Sequence, residues 1–101
     1  MDRAALPREL RPFVDERGVL FRWPSREKVQ RMAIEHLASR FEPGREYTEQ
    51  EVNFLLLEWH SFGDWALLRR LLFNWKHLDR EPDGSRYRLR APVPASPART
   101  T

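Results

Sequence analysis

Near the middle of the chain, two strongly signalled helices are separated by only three or four residues. That short link constrains the fold more than any other feature. Thr48-Glu49-Gln50-Glu51 reads as a capping box, with the Thr hydroxyl serving the Glu51 amide and the Glu51 carboxylate reaching back. Tyr47 and Val52 sit where a hydrophobic staple places them. Val52, Leu55, Leu56 and Trp59 then recur at helical spacing as an apolar stripe. Ser61-Phe62-Gly63 makes a turn, and Asp64 caps a further helix reaching to about residue 77. Trp65, Leu68, Leu71, Leu72 and Trp75 share one face of that helix. Its opposite arc carries Arg69, Arg70, Phe73, Asn74, Lys76 and His77. Two helices joined this tightly have helix-turn-helix spacing.

An earlier helix is expected over 26–40, capped by Ser25 and closed by Pro43-Gly44. Val29, Met32, Ala33, Leu37 and Phe41 lie on one side of it, with Ile34 at the edge. After the third helix, Pro82-Asp83-Gly84 is a turn in which Pro fixes φ and Gly supplies φ > 0. The flanking residues alternate. Tyr87 and Leu89 face inward and Arg86, Arg88 and Arg90 outward, giving a β-hairpin with a basic outer face. Arg45-Glu46-Tyr47 is the candidate strand between the first two helices. Val19 to Trp23 reads as a short N-terminal strand. The expected fold is a small α+β winged helix-turn-helix: three core helices, then a C-terminal hairpin wing. It occupies residues 18–90. Residues 1–17 form an N-terminal extension in which Leu10, Phe13 and Val14 could make one short helix. Residues 91–101, with three prolines, form a disordered tail.

Composition narrows the function classes. The chain has 101 residues, one domain in length, and no cysteine, which excludes disulfides, thiolate metal sites and a Cys nucleophile. No apolar run reaches the ~18 residues of a membrane span. The chain reads as cytoplasmic. His36, His60 and His77 have no metal-site spacing, and no glycine-rich phosphate loop occurs. No cofactor, metal or catalytic residue is expected, so the chain reads as a non-enzyme. His36 and His60 lie near apolar stripes and read as core or boundary residues.

The net charge is +3, and its distribution is uneven. Residues 46–63 carry four acidic and no basic groups, whereas residues 64–101 carry eight basic and four acidic. A positive side near the C-terminal end follows. In a nucleic-acid reading, with DNA as the partner, Arg69, Arg70, Asn74 and Lys76 engage the major groove. Arg can fork onto guanine and Asn can pair with adenine. Arg86 and Arg88 touch phosphates from the wing. About four to six neutralised phosphates give a salt slope of roughly −4 to −5. Arg69 and Arg70 point ~100° apart on a helix, so one of them is expected to make an internal ion pair. The acids Glu49, Glu51 and Glu58 oppose simple DNA binding, although Glu49 and Glu51 also suit a helix N-terminus. In the alternative reading the chain is a protein-interaction module, using Phe54, Leu57, Trp65 and Phe73 to bind a second copy or a partner protein.

Three separated stretches resemble a known family. Phe41-Glu42-Pro43-Gly44-Arg45-Glu46-Tyr47-Thr48-Glu49-Gln50-Glu51-Val52-Asn53, Asp64-Trp65-Ala66-Leu67-Leu68-Arg69-Arg70 and Arg80-Glu81-Pro82-Asp83-Gly84-Ser85-Arg86-Tyr87 are similar to motifs of the domain of unknown function 2087. The Trp23-Pro24 entry to the first helix is also similar. The resemblance covers about residues 12 to 90. It implies a prokaryotic, winged-helix-like domain found alone or joined to helix-turn-helix regulators, and hence a place in transcription. Family members often carry an aromatic after the position of Tyr87, where this chain has Arg88.

Overall fold

The computed structural model describes residues 3–90; the expected tail at 91–101 lies outside the described residues. Three helices and a three-stranded antiparallel sheet follow one another as α1 (Glu27–Ala38), β1 (Glu46–Tyr47), α2 (Glu49–Trp59), α3 (Trp65–Asn74), β2 (Leu78–Arg80) and β3 (Tyr87–Leu89). The sheet order is β1-β3-β2. Glu46 lies opposite Arg88, Tyr47 and Arg80 lie opposite Tyr87, and Asp79 lies opposite Arg88. The short strand expected between the first two helices is therefore β1.

The capping box forms as the sequence requires. The Glu51 amide donates to Thr48 Oγ1 at 3.1 Å, and the Thr48 amide donates to Glu51 Oε1 at 2.8 Å. Thr48→Ala removes one of these acceptors and is expected to cost about 1 kcal/mol in chemical denaturation. No loss would show that the box is redundant. Asp64 caps α3 through its side chain, which accepts from the Leu67 amide at 3.4 Å. The first helix departs from expectation. Arg26, not Ser25, is the N-cap, with extended backbone (φ −92°, ψ 135°) and no side-chain cap, and the helix ends at Ala38.

The third helix stops at Asn74, short of residue 77, for a visible reason. Lys76 takes φ +69°, and no other non-glycine among the described residues has positive φ. The Lys76 amide donates to the Phe73 carbonyl at 3.1 Å and the His77 amide to the Leu72 carbonyl at 2.9 Å. This is a Schellman closure with lysine where glycine is usual.

Two further expectations are corrected. Val19 to Trp23 forms no strand of the sheet. Leu20 alone makes isolated bridges, to Val14 and to His60. The Leu20 amide donates to the Trp59 carbonyl at 2.9 Å, and its carbonyl accepts from Ser61 at 3.0 Å. The segment is thus bonded to the end of α2 rather than to the hairpin. Leu10, Phe13 and Val14 do not share one helix; residues 3–17 hold two short 3₁₀ turns at Arg3–Ala5 and Arg11–Phe13. Leu6, Leu10 and Val14 from this segment enter the core beside Leu20, Ile34, Leu37, Leu56, Leu68 and Leu72. The segment packs as part of the domain.

His36 and His60 are buried, as their neighbours predict. His36 Nε2 bonds the Gly18 carbonyl at 2.7 Å. Since a carbonyl only accepts, Nε2 carries the proton and Nδ1 is left buried without a partner. His60 Nε2 accepts from the Asp64 amide at 3.1 Å, so its proton sits on Nδ1, facing the Leu56 carbonyl. This one ring joins the end of α2 to the cap of α3.

Burial holds the pKa of His36 and of His77 below the usual 6.5. As pH falls through 6.5, the unfolded chain takes up protons that the folded chain refuses. Stability is therefore full above that value and is lost below it. Backbone and side-chain donors likewise depress Asp15 (chiefly the Val19 amide), Glu51 (chiefly the Thr48 amide) and Asp83 (chiefly the Ser85 hydroxyl). Their contribution is present above the usual 3.8 to 4.5 and lost in stronger acid. Thermal melting midpoints should fall between pH 7.5 and 5 and fall again below pH 4; a midpoint flat from 7.5 to 5 contradicts the histidine assignment.

Candidate nucleic-acid interface

The hairpin expected to supply a basic face is neutralised across its strands. Register puts Glu46 and Asp79 on either side of Arg88. Arg88 reaches Glu46 at 3.0 Å and Glu81 at 3.5 Å, Arg86 reaches Glu46 at 3.2 Å, and Arg90 reaches Asp79 at 3.9 Å. Three guanidinium groups thus meet three carboxylates. Each such exposed pair is worth about 0–1 kcal/mol, but together they remove the net positive charge of this face. The expectation of a cationic wing is corrected accordingly.

On α3 the adjacent arginines diverge, as helix geometry requires. Arg69 turns toward α2. Its Nη1 donates to Asn53 Oδ1 at 2.5 Å and lies 3.7 Å from Glu49, with the side chain 22% exposed. It is an internal tie and does not project into solvent. Arg70 is exposed and, like Lys76 and Arg80, makes no ion pair among the described residues. Asn74 is one turn beyond Arg70 and also exposed, so the two share a face. Phe73, expected in the open, is half-buried beneath Arg80, whose guanidinium lies 4.3 Å from the ring centroid.

Arg80 was not anticipated as a site residue. Alternation places it on the same side of β2 as buried Leu78, toward the helices. Its stem crosses Phe73 and its charge emerges at the edge of α3. The period of two was visible in the sequence, but the neighbour was not. Together Glu49, Arg69, Arg70, Phe73, Asn74, Arg80 and Tyr87 line a cleft of about 440 Å³ between α3 and the hairpin. Glu49 is the one carboxylate among them.

Apart from Phe73, the apolar residues of the alternative reading sit at the surface. Phe54 is 71% exposed, Leu57 47% and Trp65 39%. Among the described residues no segment covers them.

Lys76 occupies a conformation that costs a side-chain-bearing residue about 1 kcal/mol. Its charge at the C-terminal end of α3 recovers part of that through the helix dipole. Lys76→Gly should raise stability by up to about 1 kcal/mol in denaturant titration. Unchanged or reduced stability would show that the dipole term dominates.

No described helix is long and apolar enough to cross a membrane. Among the described residues no group of three or more His, Asp or Glu is placed to hold a metal ion. No curated protein and no solved structure matches the chain. Residues 19–89 match a family described as an uncharacterized protein conserved in bacteria. With that match spanning most of the chain and all three helices, the protein belongs to the DUF2087 family.

Proposed function

We propose that the chain binds duplex DNA as a bacterial transcriptional regulator or accessory factor, on a winged helix-turn-helix scaffold. The element order supports the scaffold: a helix, a short strand, two closely joined helices and a hairpin whose second strand pairs with that short strand. The observation that carries the function is the exposed edge of α3. Arg70 and Asn74 share a face there, Arg80 lines the same cleft, Lys76 follows two residues after Asn74, and the three cations have no carboxylate partner among the described residues. Asn74 can pair with adenine, while Arg70, Lys76 and Arg80 meet phosphates. Arg69 supports the helix from behind.

Three phosphate-neutralising cations give a salt slope of about −2.7, shallower than the whole basic third of the chain implies. Fluorescence anisotropy with a labelled duplex should show a dissociation constant below ~100 μM at 50 mM salt. Raising salt to 200 mM should weaken binding about 40-fold. No binding at 50 mM salt, or affinity indifferent to salt, refutes the reading.

Phe54, Leu57 and Trp65 favour a second reading, a protein-interaction module. That reading predicts salt-insensitive self-association or complex formation, and sedimentation of a concentrated sample that remains monomeric counts against self-association.

A further inference from the structure

The cleft beside α3 has a floor as well as a cationic rim. Tyr87 on β3 is 3% exposed and lines it. The tyrosine opposite it in the sheet, Tyr47, uses its hydroxyl to accept from the Glu42 amide at 2.8 Å. Among the described residues the Tyr87 hydroxyl has no such partner, yet it is not sealed from water. An enclosed hydroxyl without a bond is costly, and Tyr87 is among the residues that line the cleft. Tyr87 therefore offers a neutral donor and acceptor, and Arg70 and Arg80 bring two guanidinium groups that have no carboxylate partner among the described residues to the same space. Arg69 and Glu49 largely cancel each other 3.7 Å apart. Asn74 adds an amide that both donates and accepts, and Phe73 an apolar wall.

Guanidinium forks and a phenol hydroxyl together match a terminal phosphate, which presents three acceptor oxygens. A backbone phosphodiester, flanked by sugars on both sides, reaches such a floor less easily. The volume, about 440 Å³, lies within the range of small-molecule sites, roughly 300–1,000 Å³. We infer that this cleft binds a small phosphate monoester of nucleotide size, with its phosphate between Arg70, Arg80 and Tyr87 and its polar body toward Asn74. The inference does not depend on duplex binding. Because the two ligands share Arg70 and Arg80, an occupied cleft weakens any contact of this edge with DNA.

Isothermal titration calorimetry of the full chain at 50 mM salt tests it, with AMP as probe and adenosine and inorganic phosphate as comparisons. AMP should saturate with a dissociation constant below about 1 mM. Phosphate should bind more weakly and adenosine not at all. Tyr87→Phe keeps the buried ring and should weaken AMP about five-fold by removing one hydrogen bond. Arg70→Gln should weaken it at least as much. AMP that fails to saturate, AMP that binds no better than adenosine, or Tyr87→Phe with unchanged affinity each overturns the inference. Duplex binding without AMP binding removes the small-ligand site and leaves the DNA reading standing; AMP binding without duplex binding does the reverse.

Discussion

A chain truncated to begin at residue 18 should lose its cooperative thermal transition. Residues 1–17 place three apolar side chains in the core, with Leu6 8%, Leu10 0% and Val14 2% exposed. They also bond to the segment that follows. The Asp15 amide donates to the Val19 carbonyl at 2.9 Å, and the Phe13 carbonyl accepts from Phe21 at 3.0 Å. Emptying one fully buried leucine site costs about 2–5 kcal/mol, against a total stability of about 5–15 kcal/mol for a typical domain. Removing all three side chains therefore takes most or all of the margin. The milder variant Leu10→Ala should stay folded but melt at least about 8 °C lower. Far-UV circular dichroism melts of both proteins make the measurement. A truncated chain that melts like the full one would show that the family-matched region, residues 19–89, is sufficient for the fold and that the N-terminal segment only rests on it.

Reversing both free guanidinium charges at the cleft should have the largest effect on binding. Arg70→Glu combined with Arg80→Glu removes two of the three proposed phosphate-neutralising cations and adds repulsion. Affinity for duplex at 50 mM salt should fall about 100-fold or more, and the salt slope should become shallower by about 2. Neither residue has an ion pair to break among the described residues, and losing the Arg80–Phe73 stacking costs only about 0.5–1 kcal/mol, so the fold should survive. The contrasting variant is Arg86→Ala with Arg88→Ala. Those side chains are already matched by Glu46 and Glu81, and their loss should change affinity less than about three-fold. Equal losses from the two pairs would show that phosphates displace the carboxylates and that the hairpin acts as a wing after all.

Local signals were legible, and signals that depend on tertiary register were not. The starts of α2 and α3 follow from Thr48, Glu51 and Asp64, because a cap is a contact over three residues. The divergence of Arg69 and Arg70 follows from 100° per residue, although only the packing of α2 against α3 shows which one turns inward. Neutralisation of Arg86 and Arg88 was hidden, because Glu46 lies some forty positions away and meets them only through strand pairing. The N-terminal segment was hidden for another reason. Leu6, Leu10 and Val14 are spaced by four, yet Pro7 and Pro12 preclude a regular helix, and 3₁₀ turns leave no 3.6-residue signature. Lys76 concealed the end of α3 because a Schellman closure ordinarily announces itself with glycine. The expected helix over 26–40 ran one residue early at its start, since Arg26 rather than Ser25 keeps the extended conformation of a cap.

The central claim is that the exposed edge of α3, with its uncommitted cations, is where this domain meets duplex DNA. Amide chemical-shift mapping of the ¹⁵N-labelled protein during a duplex titration tests it most directly. Perturbations should cluster at Arg70, Asn74, Lys76 and Arg80, with little change at Phe54 and Leu57. Perturbations centred on Phe54, Leu57 and Trp65, or none at all at low salt, would contradict it.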